Sequence, residues 1–311
     1  MKILHVAPHY GAGVGTVVSG WISKDSQNAH RAYSLDLCID RKVNSLFVQT
    51  DDLRDDMKEA DIVLVHYWDS PFLGNLLSRP LPECRLIFWV HKHYPIPEDE
   101  VLYPDRCFGT SRIQYLPDWI WSTGDISRFL EIKSKAHHGF NVGYVGGVSY
   151  QGKMHPNIFD LCDAIDIPDV HFTFVGENKT AMISSGKYTF IGKVDDVAPY
   201  LAEFDVPGYP LRSDHWGTCE QVIGEAMSAG VVPVLMDNPA ERLIWKGCKS
   251  EAEYIEMVDL LYRNPELREA MSDGCRERAK ELYSIDTMIS RWNDIFDEMM
   301  TQPKRSRKEL R

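Results

Sequence analysis

Short apolar runs rich in β-branched residues alternate with stretches of helical period from the start of the chain, a rhythm that predicts parallel strands joined by crossover helices. In the first half, strands are predicted over 3–7, 33–39, 45–49, 61–66, 86–91, 106–109 and 119–122, with an acidic, aspartate-capped helix over 51–60. Residues 62–65, Ile-Val-Leu-Val, are apolar at every position, which places that strand inside a sheet covered on both faces.

Residues 131–141 are polar and lack a period, which predicts a linker. The rhythm then restarts, with strands over 142–146, 172–176, 189–192, 206–210 and 231–236 and helices over 155–165, 197–204 and 219–229. The chain then turns helical over 251–264, 265–283 and 285–300, and Met288, Trp292, Ile295 and Met299 recur there at helical spacing, a packing face. The reading is α/β, with two Rossmann-like domains facing across a cleft. Their expected bounds are 1–135 and 136–284, with 285–311 a closing helix and a basic tail. Ligands of such sheets bind at the carboxyl ends of the strands.

Composition sharpens this. The 311 residues are 44% hydrophobic and 26% charged, which excludes a disordered or fibrous chain. A net charge of −12 disfavours a general affinity for nucleic acid. The tail opposes that balance, with Lys304, Arg305, Arg307, Lys308 and Arg311 against Glu309; it reads as a solvated terminus, or at most as a peripheral contact with anionic lipid or nucleic acid. Seven cysteines form no C-x-x-C pair, as expected of reduced thiols, and Met1-Lys-Ile-Leu-His lacks the layout of a signal peptide, so the expected compartment is the cytoplasm.

Two stretches carry chemistry. Pro8 to Thr16 is a glycine-rich turn in which Gly11, Gly13 and Gly15 allow close backbone approach to a ligand at a helix start; Thr16 replaces the last glycine of a dinucleotide fingerprint, so an NAD-dependent oxidoreductase rests on little. In the second, Thr218 and Gln221 stand in capping-box spacing, predicting a helix from Cys219 whose amide end seats a diphosphate. Glu225 lies further along that helix, where a carboxylate can accept two hydrogen bonds from the diol of a ribose; a solvated glutamate is the plainer alternative.

Residues 225–234, Glu-Ala-Met-Ser-Ala-Gly-Val-Val-Pro-Val, resemble the signature of retaining GT-B glycosyltransferases of family 4 (glycosyl transferases group 1). Further segments follow the family in order: the glycine turn 11–15, Trp89-Val-His91, 120–129, the loop 142–153, the strands at 172–177 and 190–194, and Asn238-Pro-Ala-Glu241. The resemblance implies metal-independent transfer of a hexose, with retention, from a UDP- or GDP-linked donor to a hydroxyl acceptor, with no cofactor. It assigns His91, Lys153 and Glu225 to catalysis, and Gly13, Gly15, Lys153, Glu177, Gly217, Thr218, Cys219 and Glu225 to the donor.

Two departures stand out. The family's first glutamate falls at Gly217, with Glu220 or Asp214 as candidates to replace it, and its arginine falls at Gly147, with Arg212 or Arg242 as candidates. They motivate an alternative, a catalytically inactive nucleotide-binding module. No Asp-x-Asp pair occurs, and His91 with His93 makes a poor zinc site, so no metal is expected. Trp68, Asp69 and Tyr94 follow strand ends, where aromatic faces and carboxylates suit an acceptor sugar.

Overall fold

The computed structural model describes residues 1–37, 43–47, 53–92, 95–112, 115–215 and 217–310. In chain order the elements begin β1 (Lys2–Ala7), α1 (Ala12–Lys24), β2 (Ala29–Ser34), β3 (Leu46–Phe47), α2 (Leu53–Glu59), β4 (Ile62–Tyr67), α3 (Pro71–Leu77), β5 (Leu81–Cys84), β6 (Leu86–Val90), α4 (Glu98–Leu102) and β7 (Arg106–Gly109). After a 3₁₀ turn at Ser127–Glu131 come β8 (Phe140–Val145), α5 (Ile158–Ala164), β9 (Val170–Val175), β10 (Tyr188–Gly192), α6 (Ala198–Leu201), β11 (Val206–Tyr209), α7 (Gln221–Ser228) and β12 (Val234–Leu235). The chain continues through α8 (Glu241–Ile244), α9 (Glu251–Arg263), α10 (Pro265–Leu282), α11 (Ile285–Met300) and β13 (Arg305–Arg307).

The chain separates into two compact units, Met1–Asp125 with Ser284–Arg311, and Ile126–Tyr283. The first is built on a six-stranded parallel sheet in the order β3-β2-β1-β4-β6-β7, a Rossmann-like order that runs outward in both directions from β1. Every residue of β4 and β6 is buried, as expected of apolar strands covered on both faces. One face of the sheet packs on α11, where the Trp292 ring lies 5.5 Å from that of Trp21 and 5.2 Å from that of Trp89, with Phe296 and Met299 fully buried beside them. Ser284 caps α11 by accepting the Thr287 N–H at 3.1 Å.

The second unit has a five-stranded parallel sheet, β10-β9-β8-β11-β12. Strands β8, β9 and β10 are followed or closed by Gly146, Gly176 and Gly192, all at positive φ. A Cβ on Gly176 would lie 1.9 Å from the Gly146 carbonyl oxygen, so the two strand-end loops touch backbone to backbone and only glycine fits between them.

Several expectations need correction. Residues 119–122 make one isolated bridge, Gly109 to Trp119, instead of a strand. The stretch 131–141 is not wholly linker, since β8 already begins at Phe140. Strand β2 starts at Ala29, four residues early, and the ends of the predicted strands at 39 and 49 and the start of the predicted helix at 51 fall outside the described residues. The basic tail is not a solvated coil: β13 pairs antiparallel with β5, and Arg307 is buried, donating to the Tyr103 carbonyl at 3.0 Å, the Cys84 carbonyl at 3.2 Å and the Asp105 carboxylate. The buried Asp105 carboxylate supplies the counter-charge that draws Arg305 and Arg307 in. No helix among the described residues is long and apolar enough to cross a membrane.

Candidate functional site

In the second unit, the loop after β8 and the loop between β11 and α7 are tied main chain to main chain: the Arg212 N–H donates to the Lys153 carbonyl at 2.9 Å and the His155 N–H to the Pro210 carbonyl at 2.9 Å. This brings the Lys153 ammonium to 2.8 Å from Glu220 Oε1. The Glu220 side chain is 4% exposed and also accepts the Tyr209 hydroxyl at 3.1 Å. Burial alone would raise the Glu220 carboxyl; the Lys153 ammonium, His215 and the Tyr209 hydroxyl together outweigh it and hold the group below the ordinary carboxylate range. A further carboxyl, Glu241, is fully buried, and burial together with the Glu220 charge pushes it well above the ordinary carboxylate range.

The helix α7 begins at Gln221, not Cys219. Its N-cap is Glu220, at φ 23°, and the side chain makes no capping bond because its carboxylate is turned onto Lys153 and Tyr209. Tyr283 fixes this turn by donating to the Cys219 carbonyl at 2.8 Å, and its ring occupies the space over Gly224, where a Cβ would come within 2.7 Å. Gly217 lies directly over the ion pair: a Cβ there would stand 1.8 Å from Glu220 Oε1 and 2.6 Å from Lys153 Nζ. The Glu220 carboxylate thus fills the space into which a side chain at 217 would project.

The other residues of this unit are placed as follows. Thr218 and Cys219 lie in the turn before α7, and Glu225 is half-buried on the helix itself. The Glu177 carbonyl accepts the Val148 N–H at 2.9 Å, while its side chain pairs with Lys179 at 3.0 Å on the surface. Arg212 is engaged by Asp214 at 2.6 Å and Arg242 by Asp237 at 3.3 Å, so neither guanidinium joins Lys153 on Glu220.

In the first unit, Gly11 is the N-cap of α1, and Gly13 and Gly15 lie in its first turn; Gly13 is exposed, with open space where a Cβ would stand. His91 follows β6, its Nε2 3.1 Å from His66 Nδ1. Desolvation pushes its pKa down to about 3, so its imidazole is neutral. Trp68 meets the His91 ring edge to face at 6.1 Å and that of His9 at 5.4 Å. Asp69 accepts the ammonium of buried Lys92 at 2.6 Å. Lys92 and His66 were not singled out from sequence, although each adjoins a strand end that was; Tyr94 and His93 lie outside the described residues.

Residues 139–263 match the family model described as Glycosyl transferases group 1. The chain resembles Anabaena Alr3699/HepE in complex with UDP, at TM-score 0.74 and 13% identity over 96% of this chain and 100% of that one. It resembles a glycosyltransferase from Rickettsia africae ESF-5 at TM-score 0.76 and 11% identity, over 97% and 99% of the two chains. An alpha-glucosyltransferase in complex with UDP and a 13-mer DNA containing a HMU base aligns at TM-score 0.66 and 12% identity, over 96% and 99%. These likenesses establish the GT-B fold, with its two Rossmann-like domains. The sequence matches no curated protein.

Proposed function

We propose that the chain is a retaining glycosyltransferase that moves a hexose from a nucleoside diphosphate carrier, UDP or GDP, to a hydroxyl acceptor. The observation that carries this reading is the Lys153–Glu220 pair under Gly217 at the start of α7, inside the segment that matches the glycosyltransferase family model. When the bond between sugar and phosphate breaks, negative charge builds on the departing diphosphate, and the site must meet it with charge and donors already in place. Lys153 supplies the ammonium; the Gly217 N–H is spent inside the turn, donated to His215 Nδ1 at 3.0 Å. Glu220 keeps the ammonium aimed, in the part the family gives to a glutamate that would fall at 217. Glu225 is proposed to accept the ribose hydroxyls, Glu177 and Gly13 with Gly15 to border the donor, and His91 to contact sugar and incoming hydroxyl, with Trp68 and Asp69 for the acceptor. The reading requires no metal ion and no cofactor, and its compartment is the cytoplasm.

The test is incubation of the full chain with a panel of UDP- and GDP-linked sugars, following binding and release of free nucleotide. Binding with donor hydrolysis or transfer supports the reading. Neither with any donor rejects it, and affinity with no turnover on any acceptor would mark an inactive nucleotide-binding module instead.

A further inference from the structure

Four histidines of the first unit form one hydrogen-bonded file that ends on a buried carboxylate. The sheet register creates it. His30 pairs with Ile3, two residues before His5; His5 pairs with Leu64, two before His66; His66 pairs with Trp89, two before His91. Each ring therefore sits one pleat further along than the ring on the neighbouring strand, and all point to the same face. The nitrogens meet in order: His91 Nε2 to His66 Nδ1 at 3.1 Å, His66 Nε2 to His5 Nδ1 at 3.1 Å, and His5 Nε2 to His30 Nδ1 at 2.9 Å. His30 Nε2 then meets Asp25 Oδ2 at 3.0 Å.

Asp25 gives the file a direction. Its carboxylate is fully buried and accepts from the Trp21 indole N–H at 3.3 Å, the Asn28 amide at 2.8 Å and the Gln27 N–H at 2.9 Å besides His30. Three donors meet Oδ2 and one meets Oδ1, an arrangement that favours the anion over the carboxyl. Burial would raise it, but these hydrogen bonds outweigh burial and hold it below its ordinary value. A carboxylate can only accept, so His30 carries its proton on Nε2 and leaves Nδ1 bare. His5 must then donate from Nε2, His66 likewise, and His91 likewise. Burial, together with the neighbouring imidazoles, lowers His5 and His66 well below the usual range, which keeps the interior rings neutral. The groups packed around the file are the rings of Trp21, Trp89 and Tyr10, and the charges facing it are Asp25 and, toward His30, the Met1 amine.

We infer that Asp25 is a positioning residue for His91: through the file it holds His91 as the Nε2–H tautomer with a bare Nδ1, and a proton accepted there passes inward and comes to rest on His30 against the carboxylate. The transfer balances. An N–H bond forms at His91 Nδ1; the Nε2 proton of His91 moves to His66 Nδ1, that of His66 to His5 Nδ1, and that of His5 to His30 Nδ1. His30 then holds two protons as an imidazolium beside the Asp25 anion, and the other three rings are neutral with reversed tautomers. An imidazole too desolvated to keep a charge of its own can thereby act as a base. Any use of this proton in sugar transfer rests on the reading above; the tautomer of His91 does not.

The experiment is two-bond ¹H–¹⁵N correlation NMR of the full chain with ¹⁵N-labelled histidine at pH 7. All four rings are expected as single Nε2–H tautomers, and the first imidazolium to form on acidification is expected at His30. Asp25→Asn, which can offer an N–H to His30, should shift His91 toward Nδ1–H. His5→Phe, which cuts the file and serves where Asp25→Asn does not fold, should leave His66 and His91 as tautomer mixtures. His91 found as Nδ1–H or imidazolium in the wild type, a first imidazolium at His91, or a His91 signal unchanged in the folded variants overturns the inference. In a transfer assay, Asp25→Asn should lower kcat about tenfold with donor KM unchanged. An intact wild-type register in a chain that transfers no sugar would reject only the transfer reading.

Discussion

Gly217 and Glu220 share one volume: a Cβ on the glycine would begin 1.8 Å from the glutamate's Oε1. Glycine is what allows a carboxylate three residues later to swing back under the turn and hold Lys153. Gly217→Ala should therefore displace the ion pair without unfolding the unit. A drop in nucleotide affinity of tenfold or more, about 1.4 kcal/mol, is expected by calorimetry, with a fall in melting temperature no larger than that of Lys153→Met.

Lys153→Met leaves the 4%-exposed Glu220 side chain without its cation. Removing one partner of a fully buried pair costs about 3–5 kcal/mol, and the ammonium here is one-third exposed, so a loss of about 2–3 kcal/mol is expected. Thermal unfolding should show it, and adding Glu220→Gln should restore most of it.

The pair also predicts a pH dependence. The folded value of Glu220 lies below its ordinary one, so its ionisation stabilises the fold above about pH 4.3 and that contribution disappears as the pH falls through the folded value. The melting temperature of the wild type relative to Glu220→Gln should fall on acidification through that window.

Glu241 behaves with the opposite sign. Its folded value lies far above its unfolded one, so the neutral carboxyl costs nothing in acid and destabilises the fold as the pH rises past the unfolded value. Glu241→Gln should raise the melting temperature at pH 7–8 by roughly 2–4 °C and leave it unchanged near pH 4.

Asp105 accepts both Arg305 and Arg307, and the Arg307 and Asp105 side chains are 5% and 7% exposed. Arg307→Ala should destabilise the first unit by about 3–5 kcal/mol, because it leaves that buried carboxylate short of its charge. Denaturant unfolding would check this.

What could be read from the residues alone follows from where the information sits. Strands β4 and β6 are legible because burial on both faces makes them apolar throughout. The pairing of β5 with β13 is not, since Leu-Pro-Glu-Cys and Arg-Ser-Arg become strands only by meeting each other across 220 or so residues and through Asp105. Helix α3 has a local signal, Ser70 capping the Phe72 N–H with Pro71 at the first position, but at seven residues it is too short to show a helical period. At the candidate site, Lys153, Gly217 and Glu225 are picked out by the resemblance to the family's motifs, whereas the turn of the Glu220 carboxylate into the space at 217 depends on a positive φ that the sequence does not reveal. The histidine file depends on strand register, which no single strand encodes.

The proposed transfer requires that Lys153, beside the turn before α7, hold a diphosphate. Calorimetric titration of UDP and of GDP into the wild-type chain and into Lys153→Met/Glu220→Gln, which keeps the packing while removing both charges, measures this. Binding of one nucleotide to the wild type and a loss of ten- to hundredfold in the double variant, about 1.4–2.8 kcal/mol, is predicted. Equal affinity in the two proteins, or no binding of either nucleotide by the wild type, would contradict it.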